Sequence, residues 1–344
     1  MVSSEKSAAS WQRVSQPPSN PRMLWMDILR GAAILAVISF HSVTILDKYD
    51  FEANIIWQYL NETLKLFRMP ILIFLSGMLL QKSLAKPTPE YFWGKVRGIL
   101  WPFLIWSTAY AVVTEVDFTS FNDLIFIYKG GSHLWFLAFI FLYYISAKPL
   151  SSIHPLAVSA AAFCLSLMSP DGEKYSERIL YLMSLFFLGS YSSRYADQIR
   201  KILTSPLIWL LLPIVIGSAL ITIRYNLDFG PKWLLLSLAG ILFFSAVAHR
   251  LEKLEISQPL IWIGQRSIVF YVSHAIFIIL VAKLLGRAGI TNYAAAAVIS
   301  IVVSLIGGWV LAILMVRWAL VGWLFTFPPL RQQLQARRGG APPP

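Results

Sequence analysis

The chain has 344 residues, 57% of them hydrophobic and 13% charged, with 13 Trp and a formal net charge of +12. A soluble domain of this length carries about 25% charged residues, so these proportions exclude an ordinary soluble globular protein. Short alternating apolar segments are absent, which excludes a β-barrel, and no basic, aromatic-studded soluble module accompanies the positive charge, so it is not a nucleic-acid signature.

Residues 1–22 are polar and rich in Ser and Pro, with no apolar core and no small-residue cleavage site. They read as a disordered cytoplasmic segment, and residues 24–46 as an uncleaved first helix rather than a signal peptide. Ten apolar spans follow in order: 24–46, 58–81, 96–114, 133–148, 153–169, 178–193, 206–224, 232–249, 259–283 and 293–318. The expected fold is an all-α polytopic membrane protein, a bundle of about ten transmembrane helices filling residues 23–326. The fourth, fifth and sixth spans are short, which calls for bilayer thinning or burial within the bundle. The spans leave no room for a soluble domain, so any site lies within the membrane or at its surface. The polar tail, residues 327–344, reads as a disordered cytoplasmic segment. The single cysteine, Cys164, lies in an apolar run, which excludes an intrachain disulfide or a cysteine-built metal site. No metal is expected, and no repeat stands out at a fixed period.

An even number of spans puts both termini on one side. That side collects 17 Lys and Arg residues, among them Lys82, Lys86, Lys95, Arg97, Lys148 and Arg250, against eight in the opposite loops. The opposite loops also carry ten acidic residues, including Asp47, Asp50 and Glu52. Basic residues concentrate on the cytoplasmic side of membrane proteins, so both termini are expected in the cytoplasm.

Six charged residues remain inside the spans: Asp27, Arg30, Glu62, Lys65, Arg68 and Arg266. Charges are costly in hydrocarbon and mark functional sites by default. From Arg30 to His41 is a step of eleven residues, about three turns plus 20°, so both project from one face, roughly 16 Å apart along the axis. Asp27 shares that stripe. The ninth span repeats the arrangement, with Arg266 at inner depth and His274 at outer depth, while the second span carries Glu62 near the outer surface and Arg68 nearer the middle. These residues could line one passage across the bilayer. Plainer roles fit some of them: Asp27 and Arg30 as a structural pair, Lys65 snorkelling outward, His41 as an interhelical hydrogen-bonding residue, and His133 as an interfacial one.

Several stretches together resemble the acyltransferase 3 family of bacterial membrane-bound O-acyltransferases. "LRGAAILAVISFH" is similar to its arginine, ten residues, histidine signature, and "FRMPILIFLSGMLL" (67–80) to its second helix. "KVRGILWPFLIW" (95–106) is similar to the basic, Pro-containing entry to the third helix. "HLWFLAFIFLYY" and "WIGQRSIVFYVSH" resemble landmarks of the fourth and ninth. The best fit is the fucose 4-O-acetylase-like branch, over about residues 24–320. The chain differs from some relatives in having no hydrolase-like domain after the last helix, so a second acyl carrier would be another protein.

The resemblance implies transfer of an acyl group, acetyl by analogy, from cytoplasmic acyl-CoA to a sugar hydroxyl of the cell envelope. It also implies a multi-pass protein of the bacterial cytoplasmic (inner) membrane, with lipid, acyl-CoA, a glycan acceptor and envelope-biosynthesis proteins as partners. An alcohol needs a base before it attacks, and a neutral His41 can supply one. Glu62 could orient the ring, and Arg68 and Ser76 could stabilise the charge built on the thioester carbonyl. Ser76 could instead be a covalent nucleophile or simply pack closely beside Gly77. Arg30, Arg266, Lys82, Lys95 and Arg97 suit the phosphates of coenzyme A. Asp27, His133, Trp135 and His274 are candidates for the substrate site. The competing class is a secondary transporter or flippase of a glycan or lipid-linked precursor, for which inverted repeats and broken helices are the usual signs.

Overall fold

A computed structural model describes residues 23–328 apart from 53, 117–119, 121, 123–132 and 171–173. The segments expected to be disordered, 1–22 and nearly all of 327–344, lie outside the described residues. Among those described, every regular element is helical. In chain order the α-helices are α1 (Leu24–Leu46), α2 (Ile55–Glu62), α3 (Lys65–Met78), α4 (Leu80–Leu84), α5 (Thr88–Lys95) and α6 (Trp101–Val113). They continue as α7 (Trp135–Ala147), α8 (Pro155–Leu167), α9 (Lys174–Ser192), α10 (Ala196–Thr204) and α11 (Leu212–Tyr225). The last five are α12 (Leu234–Leu251), α13 (Gln258–Gln265), α14 (Ser267–Arg287), α15 (Tyr293–Arg317) and α16 (Ala319–Gly322).

Among the described residues, seven helical stretches are long and apolar enough to cross a membrane: Leu24–Tyr49, Lys65–Leu84, Thr88–Val113, Pro206–Tyr225, Pro231–Leu251, Ser267–Arg287 and Tyr293–Arg317. The chain is therefore a multi-pass membrane protein. Helices α7 and α8 are apolar but only 13 residues each, about 20 Å at 1.5 Å per residue, short of the roughly 30 Å hydrocarbon core. Helix α9 supplies one wall of the interior, burying Tyr181, Leu182, Leu185, Phe186 and Phe187.

Helix α1 is the hub and packs against α3, α12, α13, α14 and α15. Its buried face includes Ile34, Val37 and Ile38, and the charged Asp27 is buried with them. Two crossings are so close that only glycine fits. A Cβ on Gly31 of α1 would stand 2.1 Å from the Leu260 carbonyl oxygen, and one on Gly264 of α13 would stand 1.9 Å from that of Asp27. The same reciprocal arrangement joins α3 to α9: Gly77 abuts the Phe186 carbonyl and Gly189 that of Phe74. Small residues that let backbones touch are the usual adhesive of membrane helices, where no hydrophobic effect drives association.

Three spans expected as continuous helices are interrupted. The second breaks between α2 and α3 at Thr63 and Leu64. Its proline, Pro70, stays inside α3, because the carbonyl it cannot pair, that of Leu66, accepts from the Ser237 hydroxyl at 3.1 Å. The third carries a π-helical turn over Val96–Leu100 before Pro102, a common way to absorb a residue that cannot donate to the ladder. The ninth breaks at Arg266, whose backbone lies at φ −117° and ψ 20°, just beyond the contact of Gly264 with α1.

Candidate active site

Two of the cavities along α1 share Tyr271 of α14 in their walls. The inner one, about 120 Å³, is walled by Arg30, Ile34, Leu72, Ser76, Ser267 and Tyr271. The second, about 140 Å³, is walled by Phe40, His41, Lys65, Arg68, His133 and Trp135 among others. The eleven-residue step thus delivers Arg30 to one cavity and His41 to the next, with Val37 and Ile34 on the same helix face between them.

His41 stands in a cluster of three imidazoles. Its ring centroid is 5.1 Å from that of His274 and 6.0 Å from that of His133, and the latter two are 5.1 Å apart. Among the described residues, no group of His, Cys, Asp or Glu side chains is arranged to hold a metal ion. His274 is buried in α14 with its Nδ1 3.1 Å from the Phe270 carbonyl oxygen. A carbonyl only accepts, so Nδ1 carries the hydrogen, and Nε2 of the neutral ring is a lone-pair acceptor. That Nε2 is buried without a protein partner, as are both ring nitrogens of His133. The His133 backbone is anchored by the Tyr271 hydroxyl, which donates to its carbonyl at 2.6 Å. Unpaired buried polar atoms in a cavity cost free energy unless something else pairs with them, and here they surround the space next to His41.

Arg68 is the cation of this cavity. It is 6% exposed, its guanidinium carbon lies 3.9 Å from the Phe40 ring centroid, and its buried Nη1 has no protein partner. The other cations around the cavity are compensated: Lys65 pairs with Glu62 at 3.0 Å and Arg178 with Asp228 at 2.9 Å. Arg178 also lies over the rings of Trp135 and Phe229. A buried guanidinium with one amino group free of any protein acceptor, beside a histidine, can stabilise one developing negative charge.

The remaining candidates are distributed more widely. Glu62 faces a third cavity and does not line the His41 cavity, so Lys65, not His41, is the side chain it binds. Ser76 lines the inner cavity but donates its hydroxyl to Leu72 within its own helix at 2.8 Å, and no histidine lines that cavity. Asp27 is buried and lies 3.4 Å from Arg30. Lys95 sits 3.6 Å from the Tyr144 ring centroid, and the Tyr144 hydroxyl donates to the Ser76 carbonyl, so Lys95 adjoins the inner cavity by way of Tyr144. Lys82 is exposed on α4. Arg97 and Arg266 line neither cavity: Arg97 donates to the Phe327 carbonyl, and Arg266 lies over the Trp262 ring.

Sequence reasoning passed over Tyr271, Phe40, Arg178, Asp228 and Phe229 as site residues. Tyr271 is three positions before His274 and so shares its helix face; that signal was available. The pairing of Arg178 with Asp228, fifty residues apart, has no local signature.

A half-buried histidine, His41, and a buried arginine whose Nη1 has no protein partner, Arg68, thus line one cavity of a helical membrane bundle. The chain matches the acyltransferase 3 family, described as an acyltransferase domain, over residues 23–313, and belongs to it. It is therefore a membrane acyltransferase. No curated protein and no solved structure shows a significant match to it.

Proposed function

We propose that the protein moves an acyl group, acetyl in the simplest case, from acyl-CoA to a hydroxyl of a sugar in a cell-envelope glycan or glycolipid. The observation that carries this reading is the meeting of His41 with the unpaired Arg68 in a cavity that shares Tyr271 with a second cavity holding Arg30. The acceptor oxygen attacks the thioester carbonyl carbon while His41 takes the hydroxyl proton. The tetrahedral oxyanion forms beside Arg68 Nη1. Its collapse breaks the carbon–sulfur bond, and the departing thiolate takes the proton back from His41.

His274 Nε2, held as an acceptor by the Phe270 carbonyl, can receive a hydrogen from His41 and so keep the attacking face of that ring unprotonated. This is the orienting task first assigned to Glu62. With Ser76 bonded within its own helix in a cavity that no histidine lines, direct transfer fits better than a seryl intermediate. For the donor, the route from Lys95 through Tyr144 to Arg30 suits the phosphates of coenzyme A, with Lys82 at its rim. If α7, α8 and α9 also cross, beside the seven long spans, the count is the ten expected from the sequence, and the charge asymmetry supports termini on the cytoplasmic side of the membrane.

The interrupted helices next to the site, at Thr63–Leu64 and at Arg266, are also a device of transporters, and they sustain the alternative of a glycan flippase. One experiment separates the two. Envelope glycans are compared by mass spectrometry between a deletion strain and strains restored with wild type or His41→Ala at equal expression. Loss of a general base costs about 10²–10⁴-fold in rate, so the variant should fail to restore an acyl mass that wild type restores. Full restoration by the variant ends the base assignment. Intact acylation with glycans stranded on one side of the membrane favours transport.

A further inference from the structure

A third cavity, about 350 Å³, opens beside the His41 cavity and shares Phe40 with it. That volume falls within the usual range of small-ligand sites. Its lining differs from the others in chemistry: Thr44, Asp47, Gln58, Tyr59, Asn61 and Glu62 contribute most of it, with Asn226 opposite. Lys65 forms the partition, lining the His41 cavity while its ammonium donates to Glu62 and to the Asn226 side-chain oxygen. Asn61 is 6% exposed and donates its Nδ2 to the Trp57 carbonyl at 2.9 Å. Its Oδ1, the Asn226 Nδ2 and the second Glu62 oxygen are spent on no protein partner.

We infer that this vestibule is the acceptor subsite and that it selects a neutral, hydroxyl-rich ring over an acidic or phosphorylated one. The inference rests on the acyl-transfer reading above and adds where the acceptor sits and which charge it carries. Carboxylates, which accept, and side-chain amides, which both donate and accept, match the vicinal hydroxyls of a sugar, and an aromatic side chain such as Tyr59 covers its apolar face. The lining of the vestibule itself carries two carboxylates, Asp47 and Glu62, and no cation, while Lys65 reaches Glu62 from the neighbouring cavity, so a uronate or a phosphate meets repulsion there. Phe40 belongs to both cavities, so a ring seated in this vestibule adjoins the His41 cavity across the side chains of Phe40 and Lys65.

The test uses full-length protein in liposomes, labelled acetyl-CoA as donor, and three acceptor probes: methyl glucoside, methyl glucuronide and glucose 1-phosphate. Wild type should acylate the glucoside and leave the two anionic probes essentially untouched. Loss of one hydrogen bond to the acceptor corresponds to about a tenfold change, so Asn61→Ala and Gln58→Ala should each raise the glucoside KM about tenfold while the acetyl-CoA KM stays within about twofold. Asp47→Lys should lower the KM for the glucuronide relative to the glucoside. Unchanged acceptor KM in all three variants, with wild type active, overturns the vestibule and leaves the transferase standing; so does equal use of neutral and anionic probes by wild type. If wild type acylates no probe and no envelope glycan, the acyl-transfer reading falls, and the subsite with it.

Discussion

Arg68 shows how one side chain acquires a chemical role from its surroundings. It is surrounded by Phe40, His41 and Met69, its two neighbouring cations are neutralised by Glu62 and Asp228, and its Nη1 faces no protein acceptor. Replacing it with glutamine keeps a donor but removes the charge. Loss of one preorganised oxyanion donor costs about 10²–10³ in kcat, so Arg68→Gln should lower kcat by that order, leaving the acyl-CoA KM within a few-fold. Single-turnover acyl transfer in proteoliposomes measures the split. A rise in donor KM at unchanged kcat would place Arg68 on the donor rather than on the transition state.

Elements hold these side chains through backbone contact. Gly31 and Gly264 press α1 against α13, and Gly77 and Gly189 press α3 against α9; those two crossings position Arg30 and Ser76. A methyl at any of these glycines lands about 2 Å from a carbonyl oxygen, so the helices must part. Overpacking of this kind typically costs about 1–3 kcal/mol. Gly77→Ala and Gly264→Ala should therefore lower the thermal midpoint of the detergent-solubilised protein by several degrees. Gly217→Ala, where an added Cβ meets nothing within 4 Å, should leave it unchanged. Differential scanning fluorimetry checks the contrast, and equal midpoints for all three variants would refute the wedge argument. Such crossings were only half legible beforehand: the Ser-Gly pair at 76–77 suggested close packing, but its partner Gly189 lies more than a hundred residues away.

At the scale of the whole molecule the open matter is direction. If both termini are cytoplasmic, Asp50 and Lys82 lie on opposite faces. In a Cys164→Ala background, Asp50→Cys should react with a membrane-impermeant maleimide on intact spheroplasts, whereas Lys82→Cys should react only after the membrane is opened. The reverse pattern would invert the protein and put the vestibule inside.

Composition and hydropathy determined that this chain is a helical membrane protein, because an apolar run long enough to span hydrocarbon has few alternatives. The stripe from Arg30 to His41 was equally legible, since helical periodicity alone puts two residues eleven apart on one face. Five motifs in register with the spans carried the family resemblance. Only the tertiary structure decided the rest. It separated the supposed passage into two cavities sharing Tyr271, gave Glu62 to Lys65, and brought His133 and His274 to His41. It also broke the second and ninth spans beside the site. The physical reason is common to all of these. Period and polarity are properties of one helix, whereas partners are chosen by how close two helices can approach, and that depends on glycines and hydroxyls far apart in the chain.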